Sequence, residues 1–149
     1  MGFGEAVRTV YKDKYATFSG RASRSEYWYS FLFLFLVGLV WAGLIFSLGA
    51  FDFSSPRGMS GLATFVMIAG GLFYLAVFIP TLAVSVRRLH DRNMSGWWYL
   101  GLMVLSAVPY IGIVVSIGWL VLFCLKGTSG DNRFGPDPLR GGASAEVFA

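Results

Sequence analysis

Charge is scarce in this chain: Asp, Glu, Lys and Arg together make up 13% of 149 residues, against about a quarter in an ordinary soluble domain. None falls between Glu26 and Asp52, between Arg57 and Arg87, or between Arg92 and Lys126, which leaves uncharged stretches of 25, 29 and 33 residues. Ionisable groups inside spanning segments mark proton relays and coupled carriers, so their absence here disfavours transport of that kind. Histidine and cysteine are nearly missing, with His90 and Cys124 the single examples. One cysteine makes no internal disulfide, and together the two residues cannot furnish the usual zinc ligand set. No metal and no cofactor is expected. The Gly-x-Ser-x-Gly pattern of a nucleophile elbow is absent as well, and no repeat with a usable period is found.

What is abundant is apolar: 56% of the residues are hydrophobic and 17% aromatic. A water-soluble chain this short could not hide so much apolar surface, whereas a helix of about 20 apolar residues crosses a hydrocarbon core roughly 30 Å thick. Each uncharged stretch is long enough, and the fold class expected is all-α, a polytopic membrane helical bundle. The first stretch follows basic residues and ends near the small residues Gly49 and Ala50, as a signal peptide would. Residues 27–48 nevertheless exceed the roughly 7–15 apolar residues of such a segment, and they read as a retained anchor. The formal charge of +4 comes from basic residues gathered at the ends of apolar blocks, a mark of membrane orientation rather than of a nucleic-acid-binding face.

Residues 1–19 place Phe3, Val7, Val10 and Tyr11 at helical spacing opposite Glu5, Arg8, Lys12 and Asp13, the pattern of an amphipathic helix. A helix packing on a protein partner would look the same, but the adjoining anchor and Arg8, Lys12 and Lys14 favour an interfacial helix on the lipid surface. Ser23 and Glu26 have the spacing of a capping box, which would start the first span near Arg24, with Tyr27, Trp28 and Tyr29 at headgroup level. That span covers about residues 24–48 and closes in turn formers at 49–58. The second covers about 61–89 and contains Pro80, which should kink it, with Thr81 and Ser85 near enough to rescue the freed carbonyl. The last block holds Pro109 near its middle. One helix over 96–125 would measure about 45 Å, and two helices, at 96–108 and 110–125, about 20 Å each. Residues 126–138 are turn formers and read as a cytoplasmic loop closing a single membrane domain, 1–138, while 139–149 read as a disordered tail.

Positive charge sets the expected orientation. Arg8, Lys12, Lys14, Arg21 and Arg24 precede the first span, Arg87, Arg88 and Arg92 follow the second, and Lys126, Arg133 and Arg140 follow the last block, whereas the first loop has only Arg57. Both termini are expected in the cytoplasm, which needs an even number of passes or a re-entrant hairpin. Four helical segments, the last two a short hairpin around Pro109, are favoured over three spans.

The densest polar cluster is Arg87-Arg-Leu-His90-Asp91-Arg92. Its guanidinium groups could hold phosphate oxygens bidentately, or could only set topology and attract anionic headgroups. A general base at His90 would need an orienting carboxylate from another segment, such as Glu26, Asp131 or Asp137, because the adjacent Asp91 cannot face it well. No catalytic residue is assigned, and an enzyme is disfavoured.

Three separated motifs carry a resemblance: Phe18-Ser-Gly-Arg21-Ala-Ser-Arg24-Ser-Glu26-Tyr-Trp28, Arg87-Arg-Leu-His-Asp91 running into Ser95-Gly-Trp-Trp98, and Lys126-Gly-Thr followed by Asn132-Arg-Phe-Gly-Pro-Asp-Pro138. Over about Tyr15 to Pro138 the chain resembles the bacterial inner-membrane family known as domain of unknown function 805. It departs in a longer first loop and an extra tail, neither of which touches the motifs. The resemblance implies a small multi-spanning inner-membrane protein whose motif-bearing segments gather at one face, and it implies no reaction. It suggests a shared cytoplasmic cap of Arg21, Arg24, Glu26, Arg87, Arg88, His90, Asp91, Arg92, Asp131, Asn132, Arg133 and Asp137, which either locks the helix ends together or binds a ligand. Placement of His90 more than about 15 Å from both Arg24 and Asn132 would dissolve that shared site, being far beyond hydrogen-bond reach. Two functions follow: a noncatalytic scaffold, accessory subunit or assembly factor that meets other membrane subunits through its spans, or a protein that binds membrane lipid or a phosphate ligand through the cap.

Overall fold

The computed structural model describes residues 1–49 and 60–140. The expected turn at 49–58 and tail at 139–149 therefore lie, except for Gly49, Leu139 and Arg140, outside the described residues. Every named element is helical: α1 (Phe3–Arg8) passing into a π-helical turn (Thr9–Asp13), α2 (Arg24–Ser47), α3 (Gly61–Asp91), α4 (Trp97–Ser106) and α5 (Ile111–Cys124). With 24 and 31 residues, α2 and α3 measure about 36 and 46 Å, and both are apolar enough to cross a membrane.

Ser23 starts α2 by the local chemistry read from the sequence: its backbone is extended and its hydroxyl accepts the Glu26 N–H at 3.2 Å. The reciprocal half of the expected box differs, because the Glu26 carboxylate turns to Arg87 rather than back to the Ser23 N–H. At the far end of the α2–α3 pair, the Trp41 indole lies on α3 and donates to the Val66 carbonyl at 3.1 Å. Only a glycine fits beneath it, since a Cβ at Gly70 would come within 1.7 Å of the indole ring.

Helix α3 runs unbroken through Pro80. Proline lacks the N–H that would bond the carbonyl four residues back, Ala76, and the donor that takes its place is the hydroxyl of Tyr15. The hydroxyls expected to do this act elsewhere: Thr81 donates to Val77 at 2.7 Å and Ser85 to Thr81 at 2.8 Å. The N-terminal segment thus packs on the chain itself, burying Ala6 and Val10. Tyr11 donates to the Ser30 carbonyl at 3.2 Å, and burial pushes its hydroxyl up to about 12, which keeps it a donor. Val10, Ala22 and Val84 form the apolar cluster between the segment and the spans, with Tyr11 and Tyr27 against it.

Pro109 divides the last block as the two-helix reading had it. The chain turns over at 107–110, where Tyr110 takes a φ of +65°, a conformation uncommon for a non-glycine residue. Helices α4 and α5 pack on each other, with Tyr99 edge-on to Trp119 at 4.9 Å. At 10 and 14 residues they measure about 15 and 21 Å. Their outer faces are exposed at Trp97, Val104, Ile113, Val114 and Ile117.

Candidate functional site

Three chain segments converge at one end of the bundle: the start of α2, the end of α3 and the loop after α5. Backbone hydrogen bonds tie them, from Ala22 N–H to the Arg87 carbonyl at 3.0 Å and from Thr128 N–H to the Asp91 carbonyl at 2.8 Å. The Asp91 carboxylate, on the last residue of α3, sits against Gly127, where a Cβ would come within 1.9 Å of its oxygen. The Lys126-Gly-Thr motif therefore contains the one residue small enough to let that loop close over Asp91.

The side chains at this junction are charged and yet hidden. Arg87 and Arg88 are each 1% exposed, and removing such ions from water costs several kcal/mol apiece unless partners fill their bonding positions. Asp91 accepts Arg21 on one oxygen, at 2.9 Å from Nε, and Arg88 on the other. The remaining nitrogens of Arg21 donate to the carbonyls of Thr128 at 2.5 Å and Gly130 at 2.6 Å. Those of Arg88 reach the carbonyls of Phe123, at 3.2 Å, and Leu125. The last carbonyls of a helix have no partner within it, so Arg88 closes the end of α5 while it holds Asp91. A second pair, Arg87 to Glu26 at 2.5 Å, joins α3 to α2. It is the less satisfied of the two, because Arg87 Nε and Nη2 are buried without a hydrogen-bond partner.

Around this centre the loop is folded down by its own polar residues. Asn132 donates to the His90 carbonyl at 2.9 Å and accepts the Phe134 N–H at 2.9 Å, well inside the separation that would dissolve a shared site. His90 stacks flat on Phe134 at 4.0 Å, and its Nδ1 meets the Gly20 carbonyl at 3.1 Å. Arg133 lies over Phe134 and donates to the Asn93 carbonyl, and Arg92 donates to the Lys126 carbonyl. The N–H groups of Leu139 and Gly130 donate to Asp137 and hold its carboxyl below the usual carboxylate range. Asp131 stands apart from the buried centre, exposed beside Arg140. Arg24 is exposed and lines a 130 Å³ pocket with Lys126.

Several participants escaped the sequence reading. The carbonyls of Gly20, Thr128 and Gly130 carry no side-chain signal; only the turn-forming glycines, Gly20 at φ +82° and Gly130 at +76°, hinted at them. Phe134 was visible as an aromatic residue in an otherwise polar loop. Tyr15 was visible only through Pro80, which leaves free the Ala76 carbonyl that Tyr15 serves. Chemically, the arrangement brings cations and carboxylates into mutual contact, and among the described residues no nucleophile at this junction is hydrogen-bonded to a base. Among the described residues no group of three or more His, Cys, Asp or Glu side chains could hold a metal.

Comparison with known proteins agrees with the motif evidence. The profile of the family described as "Protein of unknown function (DUF805)" matches residues 15–136. Inner membrane protein YhaI of Escherichia coli K12 is 42% identical over 83% of this chain and 87% of its own length. Inner membrane protein YhaH of the same organism is 39% identical over 83% and 88%, and the uncharacterized protein YiiR 28% identical over 81% and 85%. No solved structure matches. All three motifs that meet at the buried arginines lie within or across the matched region, and by that match and by these relatives the chain belongs to the DUF805 family of proteins of unknown function and is an inner-membrane protein.

Proposed function

We propose that this protein is a noncatalytic, multi-pass scaffold or accessory subunit of an inner-membrane complex. The observation that carries this reading is that the junction's buried carboxylates are paired with arginines of the same chain. Arg21 and Arg88 share Asp91, one Nη of Arg87 reaches Glu26, and the Nδ1 of His90 meets Gly20, an arrangement suited to holding helices in register. The exposed side chains of α4 and α5 then provide the surface for an apolar helix of another membrane subunit. Two such short helices leave part of the hydrocarbon thickness uncovered, and a neighbouring helix would complete it. The convergence of the arginine-bearing segments at one end supports four membrane segments with both termini cytoplasmic, the orientation that the positive charge pattern favours.

A photo-crosslinking residue at Val114, introduced into the chain in its native membrane, tests this. One defined protein adduct, co-purifying in stoichiometric amount in mild detergent, is the expected result. Adducts to lipid alone, with a monodisperse single-chain particle, would overturn it.

A further inference from the structure

Beside the buried arginines, and distinct from them, a cleft of about 420 Å³ opens between α3 and α4, within the range of small-molecule sites. Leu82, Val86 and His90 line it from α3. They are four residues apart and so form one stripe along the helix. Trp97 and Leu100 face them from α4, with Ser95 at the polar end. The cleft therefore grades from apolar at Leu82 to polar at His90 over about 12 Å.

The tautomer of His90 defines what the polar end offers. The Gly20 carbonyl can only accept, so Nδ1, 3.1 Å away, carries the proton. In the neutral ring Nε2 then presents a lone pair. That atom has no hydrogen-bond partner among the described residues and lies toward Gly96, where a Cβ would be 3.6 Å from it. The Ser95 hydroxyl is turned toward the Trp97 N–H. One aromatic ring beyond His90 sits a cation, Arg133, stacked at 4.7 Å on the same Phe134.

We infer that this cleft is a phospholipid site, taking an acyl chain along the Leu82–Leu100 walls and a headgroup that donates an N–H or O–H to His90 Nε2. The apolar-to-polar gradient fits an amphiphile whose headgroup carries a hydrogen-bond donor. Ethanolamine and glycerol headgroups carry the required donor; choline, a quaternary ammonium, carries none. This site goes beyond the scaffold reading and stands without it.

The test is native mass spectrometry of the full chain in detergent with an equimolar mixture of dioleoyl phosphatidylethanolamine, phosphatidylglycerol and phosphatidylcholine. A hydrogen bond to a desolvated acceptor predicts that at least one donor-bearing lipid is retained about tenfold over phosphatidylcholine, and which of the two leads tells ammonium from hydroxyl. His90→Phe, which keeps the stack on Phe134, should bring that ratio to about one. Leu100→Trp fills the cleft away from the arginines and should abolish retention of all three, so the inference stays testable should His90→Phe misfold. Equal retention of the three lipids by the unaltered chain, or a preference that survives either substitution, overturns it.

Discussion

The arginine-bearing end of the bundle and the α4–α5 hairpin are held in opposite ways. At the first, two carboxylates and three guanidinium groups fix α2, α3 and the loop after α5 to one another, and the largest buried side chains are themselves arginines. At the second, contacts are apolar, as in Tyr99 on Trp119, and most side chains face outward. In lipid, apolar surface has no hydrophobic reason to leave its surroundings, so packing detail and hydrogen bonds carry association between helices. The polar end is therefore specified by the chain's own charged side chains, and the hairpin by apolar packing.

Substitutions can break that contrast. The largest effect is expected from Asp91→Ala, which leaves Arg21 and Arg88 buried without their shared carboxylate; unfolding in micelles should show a loss of about 3–5 kcal/mol. A loss under 1 kcal/mol would mean that the junction does not hold the bundle. Next comes Tyr15→Phe, which strips the Ala76 carbonyl of its donor and should lower stability by about 1–2 kcal/mol. Limited proteolysis should then cut the first fifteen residues faster, and an unchanged rate would contradict the latch. Smallest is Val114→Ala on the hairpin, 71% exposed, where unfolding of the isolated chain should move by less than about 0.5 kcal/mol. A larger shift there would show that the hairpin contributes to the chain's own fold and would erase the contrast.

Local chemistry was legible in the sequence and partner choice was not. Ser23 could be read as a helix start because a serine before a helix acts on the N–H three residues on, and Pro109 could be read as a break because proline acts on its own turn. The long apolar segments announced α2 and α3 by length alone. Glu26, in contrast, had two uses open to it, the local Ser23 N–H and the distant Arg87, and only the meeting of α2 with α3 decides between them. Likewise Asp91 could be placed in a charged cap without any sign that it would serve Arg21 and Arg88 together. The same competition explains Pro80: the nearby hydroxyls of Thr81 and Ser85 bond within their own helix, and the donor arrives from a segment 61 positions away.

That distance has a consequence for biosynthesis. At a translation rate of about 5–20 residues per second, roughly 3–12 s separate the emergence of Tyr15 from that of the carbonyl it will serve, 61 residues later. Throughout that interval the first helix can be handed to the insertion machinery with Tyr11 already able to reach Ser30 but the Tyr15 end of the N-terminal strap unmoored. The Tyr15 end of the strap closes on Ala76 only when the second hydrophobic helix has been delivered, which makes that closure a late step in maturation.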